Sequence, residues 1–545
     1  MTRMKRNKGI KSKILISLVC ILALILPACG SSGGSSGSSG GEKKIINIGM
    51  MNAPSGFNPL EWTDVAQEVS CGLLFQALVE LDDDMKYKPM LADSITTKDN
   101  KTFTIKLNSK AKWSDGKPVT VDDELYTIGL ISNPKVPSTV ASNFNIVEGL
   151  DEKGKNAAGG TDISGVKKVD DHTMTITTKQ PMELTLFEDT IGTKLKALPK
   201  HVLQSTAPEK IYQSSFIQKP TVSDGPFTLE KYVKDQYVQF TANKGYFKGT
   251  PKLDGLIFKI MPGANITAQL QSGEIDMNDP NLGQIPFEDY SKVKGMSNLT
   301  TDSKGVQSTI QTLMINTKTI TDPKVRKAIS YAIDRNMIIN SLLKGQGQII
   351  ELPYLKESKF VNKDLKPTSH DTEKAKALLK EAGWDPNKAI NFDIPTGNKV
   401  REQVADIITQ NLQSVGIKVN PQKYDFVTSL ATAKKHNFDI YLVGIPVYPM
   451  NPDVSSILKT GQGLNLSQYS NPEMDSLLSN GLHQTDPAQV KATYDKVQEI
   501  FAQDLPCPSV YVQNQLKAVN KRVTYGKPKN YGMFIDVYKW DVQSK

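Results

Sequence analysis

The spacing of apolar residues changes character near the middle of the chain. In residues 45–50, 102–107 and 166–178 apolar and polar positions alternate, which predicts half-buried strands, and Asp170-Asp171 breaks the last run with a turn. A helix is expected after Thr120, an N-cap residue followed by Asp122, Asp123 and Glu124 in the positive first turn. From about Asp322 onward helix and strand patterns take turns. Asp322-Pro323 caps and opens a helix toward Ala332; a helix over 401–413, a strand over 417–419, a helix over 426–435 and a strand over 438–443 then follow. Such alternation predicts a sheet covered by helices. The two textures point to two lobes, between which a ligand would lie.

The first 28 residues obey a different rule. Arg3, Lys5, Arg6, Lys8, Lys11 and Lys13 precede an apolar run over 14–26 that is short for a bilayer span, the pattern of a signal peptide. It ends in Leu26-Pro27-Ala28-Cys29, which resembles a bacterial lipobox and makes Cys29 the lipidation site and new N-terminus. Residues 30–41 are only Gly and Ser, a flexible tether without side chains for a core. The expectation is therefore a signal at 1–28, a lipidated cysteine and tether at 29–41, and a body outside the cell membrane, held to it by lipid alone. No further apolar stretch of membrane length follows.

Removing the signal changes the charge. It holds six of the 66 basic residues and none of the 57 acids, so the net charge falls from +9 to +3. A nearly balanced body of this size carries no electrostatic footprint for nucleic acid. The five histidines are scattered, so no metal site is expected. Two cysteines remain beyond Cys29, Cys71 and Cys507, and the reading favours unpaired thiols.

Several segments, in order, resemble the extracellular solute-binding proteins of the oligopeptide, dipeptide and nickel class of ABC importers. They are FNPL from Phe57, LFQALVELD from Leu74, AKWSDGKPVTVDD from Ala111, DGPFTLEKY from Asp224, DPKVRKAISYAIDR from Asp322 and EKAKALLKEAGW from Glu373. Most have a structural reading: Trp113 as a packed indole beside a turn, Arg326, Lys327 and Arg335 as a solvated helix face. The resemblance implies an α/β, two-lobed periplasmic-binding-protein-like fold with an extra β-rich subdomain, over about 76–185, in lobe one. Lobe one would span 42–260 and take back 513–545; lobe two would span 261–512. It also implies a binding protein without catalysis, cofactor or metal, whose partners are a small-molecule or peptide ligand and the permease and ATPase subunits of an importer.

Carried over by position, the ligand-facing residues are Trp62, Thr63, Asp64 and Val65 on one side and Gly444, Ile445, Pro446, Val447 and Tyr448 on the other. An extended edge such as 444–447 can pair with a peptide main chain whatever its side chains. Tyr448 stands where peptide-binding relatives place an acid for the ligand's amino terminus, and Asp64 is the residue that could compensate. Oligopeptides are the leading ligand class; an oligosaccharide, stacked on Trp62 and Tyr448, is the alternative. A sensory receptor lipoprotein would need the same hinged body. A serine acyl-enzyme is disfavoured: Ser114, Ser341 and Ser456 each precede a lysine by three, but the accompanying motifs are incomplete and out of order.

Overall fold

The computed structural model describes residues 43–544 apart from 62, 306–308 and 448. The signal, Cys29, the tether, Trp62 and Tyr448 lie outside the described residues.

Two mixed sheets organise the body. The first has seven strands in the order Leu299–Asp302, Lys517–Asn520, Met277–Asn278, Ile45–Met50, Gly255–Ile260, Tyr237–Ala242 and Phe227–Val233. The alternating run at its centre, Ile45–Met50, pairs in parallel with Gly255–Ile260 on one side and Met277–Asn278 on the other. The second sheet runs Gly347–Ile349, Ser509–Gln513, Thr309–Ile315, Ile440–Pro446, Ala389–Pro395 and Lys418–Tyr424. Ile440–Pro446 is buried on both faces. Tyr441, Val443 and Ile445 enter one core and Ile440 and Leu442 the other, which is why its apolar run is nearly continuous.

A four-stranded antiparallel sheet, Ala92–Thr97, Thr102–Leu107, Thr173–Thr177 and Val166–Lys168, forms the extra subdomain. Its Phe103 and Ile105 share one core with Ile46 and Ile48 of the first sheet. The helix expected after Thr120 is Val121–Ser132, with a capping box between Thr120 and Asp123. Trp113 is buried beside it, its Nε1 donating to Asp123 Oδ2 at 3.5 Å.

The chain passes from the first sheet to the second after Asp302 and returns after Gln513. The division expected at 260/261 is thus displaced. Residues 261–302 contain the helix Gly263–Ser272, which resembles the later texture, but their strands Met277–Asn278 and Leu299–Asp302 complete the first sheet. Tyr290 fixes the return crossing: its hydroxyl donates to Asn514 O at 3.0 Å and accepts from Leu516 N at 3.2 Å.

The charged helix face expected around Asp322 is also corrected. Its helix is Pro323–Ala332, but Arg326 and Arg335 are only 4% and 3% exposed. Arg326 donates to the carbonyls of Ile320, Thr321 and Asp504, and Arg335 pairs with Glu351 at 3.1 Å. Burial is tolerated because each guanidinium meets fixed acceptors. Cys71 and Cys507 are buried free thiols, and burial pushes both up to about 12.

Candidate functional site

The two segments singled out from sequence have different fates. Asp64 is the N-cap of the helix Val65–Leu74: Oδ1 accepts from Gln67 N at 2.7 Å and Oδ2 from Ser55 N at 3.1 Å. Thr63 N donates to Gln67 Oε1 at 3.0 Å, and Gln67 Nε2 reaches back to Asn58 O at 3.1 Å. These bonds tie the loop to its own helix and leave Thr63 and Val65 exposed.

Gly444, Ile445 and Pro446 end the strand Ile440–Pro446, paired antiparallel with Gln311, Ile310 and Thr309. On the other side the parallel ladder with Ala389–Pro395 contains only Phe392 with Ile440 and Asp393 with Tyr441. Beyond Tyr441 that edge has no ladder partner among the described residues; along it Gly444 is half-buried and Pro446 exposed, while Val443 and Ile445 are buried. Beside it lies a pocket of about 270 Å³ lined by Ile445, Pro446, Val447, Tyr354, Leu355 and Ile457, with Asn451 and Asp453 at its polar side.

Arg401 stands on the opposite face of this strand end. It occupies the first turn of the helix Lys399–Ser414, where Asn398 accepts from Arg401 N at 2.9 Å, directly after the parallel strand Ala389–Pro395. Its Nε donates to Gln311 Oε1 at 2.9 Å, and it forms no ion pair among the described residues. Burial lowers its pKa, an effect that Tyr511, Tyr441 and Glu402 oppose. Gly444 makes room for Thr309 and Gln311: a Cβ there would sit 2.8 Å from Thr309 Cγ2 and 3.2 Å from Gln311 Nε2, and in ordinary contact, at 3.5 Å, with Arg401 Nη2. A cation oriented by a carboxamide at the carboxyl end of parallel strands is arranged to receive a carboxylate. Asp393, the ladder partner of Tyr441, is buried and its carboxyl is pushed up to about 6, by burial first and by the Asp439 charge second.

No hydrogen bond or ion pair among the described residues joins Thr63, Asp64 or Val65 to Gly444, Ile445, Pro446 or Val447. The lobes meet elsewhere: Asn451 Nδ2 donates to Asp189 Oδ2 at 3.3 Å, and Lys359 pairs with Glu183 at 3.4 Å. Sequence reasoning missed Arg401 and Gln311 as site residues. The available signal was the asparagine cap after a strand, which puts residue 401 at a strand's carboxyl end. The serines of the acyl-enzyme reading are dispersed: Ser114 lies in the first lobe, bonded to Ser223 N at 3.2 Å, while Ser341 and Ser456 lie in the second.

Comparison with known proteins agrees with this architecture. The family described as bacterial extracellular solute-binding proteins, family 5, matches residues 86–464. The oligopeptide-binding protein AppA of Bacillus subtilis is 27% identical, over 98% of this chain and 99% of its own. A putative ABC transporter peptide-binding protein of Brucella ovis is 30% identical over 78% of each chain. Among solved structures, the ABC transporter substrate-binding protein CtaP of Listeria monocytogenes superposes with a TM-score of 0.79 at 26% identity, covering 92% of this chain and 99% of its own. AppA in complex with a nonapeptide gives 0.73 at 25% identity, covering 92% and 100%. With its two sheets, its two crossings and a family match over most of its length, this chain belongs to the bacterial extracellular solute-binding proteins of family 5, a family of binding proteins and not of enzymes.

Proposed function

We propose that the protein is the membrane-anchored, extracytoplasmic substrate-binding protein of an ABC importer, that it captures oligopeptides by lobe closure, and that it delivers them to the permease. The observation that carries the ligand class is the pairing of an open strand edge at 443–446 with the oriented cation of Arg401 across Gly444. A peptide offers the complement to both, a repeating main chain and one terminal carboxylate. The relatives named above as oligopeptide- or peptide-binding support the same class. The anchor rests on Cys29 in its lipobox context and on the Gly and Ser tether behind it. The closure reading is supported by the division of the body into two sheets, the chain leaving the first after Asp302 and returning to it after Gln513.

Calorimetry with a peptide panel, its N-acetylated forms and a set of oligosaccharides tests the reading. Peptides should bind, and N-acetylation should cost little, because Asp64 is engaged as a helix cap. Binding of oligosaccharides alone would overturn the peptide assignment. For the anchor, Cys29→Ala should release the protein from membranes or block its processing; normal cleavage with full membrane retention would contradict it.

A further inference from the structure

The pocket beside Val447 is too small to hold an oligopeptide. Its volume of about 270 Å³ falls below the range of roughly 300–1,000 Å³ over which clefts bury a whole ligand. A second cavity of about 950 Å³ lies between residues 142–194, in the extra subdomain and the segment just after it, and residues 451–483 of lobe two. The two adjoin each other. Asn451, Asp453 and Ser456 line both, so these residues form a sill between them.

We infer that the groove between the extra subdomain and lobe two is an extended ligand subsite, which takes the amino-terminal part of a long peptide whose other end lies against Arg401. The path runs over the strand end: Arg401 lies on one face of it at Gly444 and the pocket of Ile445, Pro446 and Val447 on the other, so a peptide held at Arg401 crosses the end of the strand and then passes Asn451 to the groove. The chemistry of the lining fits a peptide main chain. Asn143, Asn145 and Gln180 from the subdomain face Gln462 and Ser479 from lobe two, offering donors and acceptors without a dominant charge. Several charges in the wall are already matched, Lys179 with Glu152 and Lys194 with Glu68. The groove is completed by closure, since the Asn451 to Asp189 bond joins its two walls beside the sill.

This inference rests on the peptide reading, and the experiment separates the two. Affinities would be measured by calorimetry for peptides of three to nine residues sharing one carboxyl-terminal sequence, with wild type and with Ser142→Trp/Ser479→Trp, which fills the groove from both walls. Wild type should gain affinity with length beyond the shortest peptides. The filled variant should bind the shortest peptides within about twofold of wild type and the longest at least tenfold more weakly. Retained short-peptide binding is the folding control. If the variant binds nothing, photocrosslinking decides: a nine-residue peptide with an amino-terminal benzophenone should label residues 142–145 or 479–483 of the wild type, and labelling elsewhere would overturn the groove. A wild-type affinity that is flat with length, or a filled variant with unchanged long-peptide affinity, would also overturn it while leaving the peptide reading intact. Failure of every peptide to bind wild type would overturn both.

Discussion

Residues 63–65 and 444–447 were both expected to face the ligand, and their comparison shows what decides whether a polar or open group is available. In the first lobe Asp64 spends both carboxylate oxygens on backbone N–H groups, one of its own helix and one of Ser55. In the second lobe the strand end beyond Tyr441 has no ladder partner on one side among the described residues, and Arg401 is held by a neutral carboxamide and forms no ion pair among them, Glu402 acting on it only from a distance. A side chain consumed by its own element stabilises the fold. One that is oriented but uncompensated is placed for a ligand.

The largest expected effect is at Arg401. Removing a charged hydrogen-bond partner costs about 1.5–3 kcal/mol, so Arg401→Ala should weaken peptide binding roughly 10- to 150-fold. The melting temperature should stay near wild type, and a normal affinity in a titration would break the comparison. Gly444→Val comes next. Its side chain would meet Thr309 and Gln311, and overpacking of this kind costs about 1–3 kcal/mol, so both affinity and melting temperature should fall.

Glu124 is a carboxyl in the first lobe that is neither cap nor site. It is fully buried, both oxygens lack a hydrogen-bond partner among the described residues, and burial, reinforced by Asp224 and Asp123, holds it well above the usual carboxylate range. Its folded form keeps a proton that the unfolded chain releases as pH rises past the ordinary carboxylate value. Stability is therefore full below that value and declines with rising pH, by up to about 1.4 kcal/mol per pH unit. Glu124→Gln should match wild type at pH 4 and melt higher at pH 7; a smaller pH slope should persist through Asp224, whose carboxyl is also raised by burial. The smallest effect is at Asp64. Asp64→Ala should cost about 0.5–2 kcal/mol of stability through the lost cap and leave peptide affinity within about twofold. A large affinity loss without destabilisation would reverse the contrast.

Most of the architecture was legible because local patterns and tertiary burial agreed. The strands at 45–50 and 102–107 and the helix behind Asp322 are where alternation and capping put them. The lobe boundary was not, because sheet membership of Met277–Asn278 and Leu299–Asp302 depends on pairing with strands far along the chain. For the candidate site, local placement was legible and long-range placement was not. Gly444 to Pro446 end a strand, a position that sequence spacing shows, while their contact with a ligand remains part of the proposal; the setting of Arg401 depends on Gln311, ninety residues away, which no local pattern announces. Asp64 before a helix could have been read as a cap from sequence.

The central claim, that Arg401 receives a peptide's carboxylate, is tested most directly by a calorimetric cycle. Wild type and Arg401→Ala would each be titrated with one peptide as the free acid and as the carboxyl-terminal amide. The account predicts that amidation weakens binding to wild type by roughly tenfold or more and has little effect on the variant, a coupling of at least about 1.5 kcal/mol. Equal losses on amidation in both proteins, with no coupling, would contradict it.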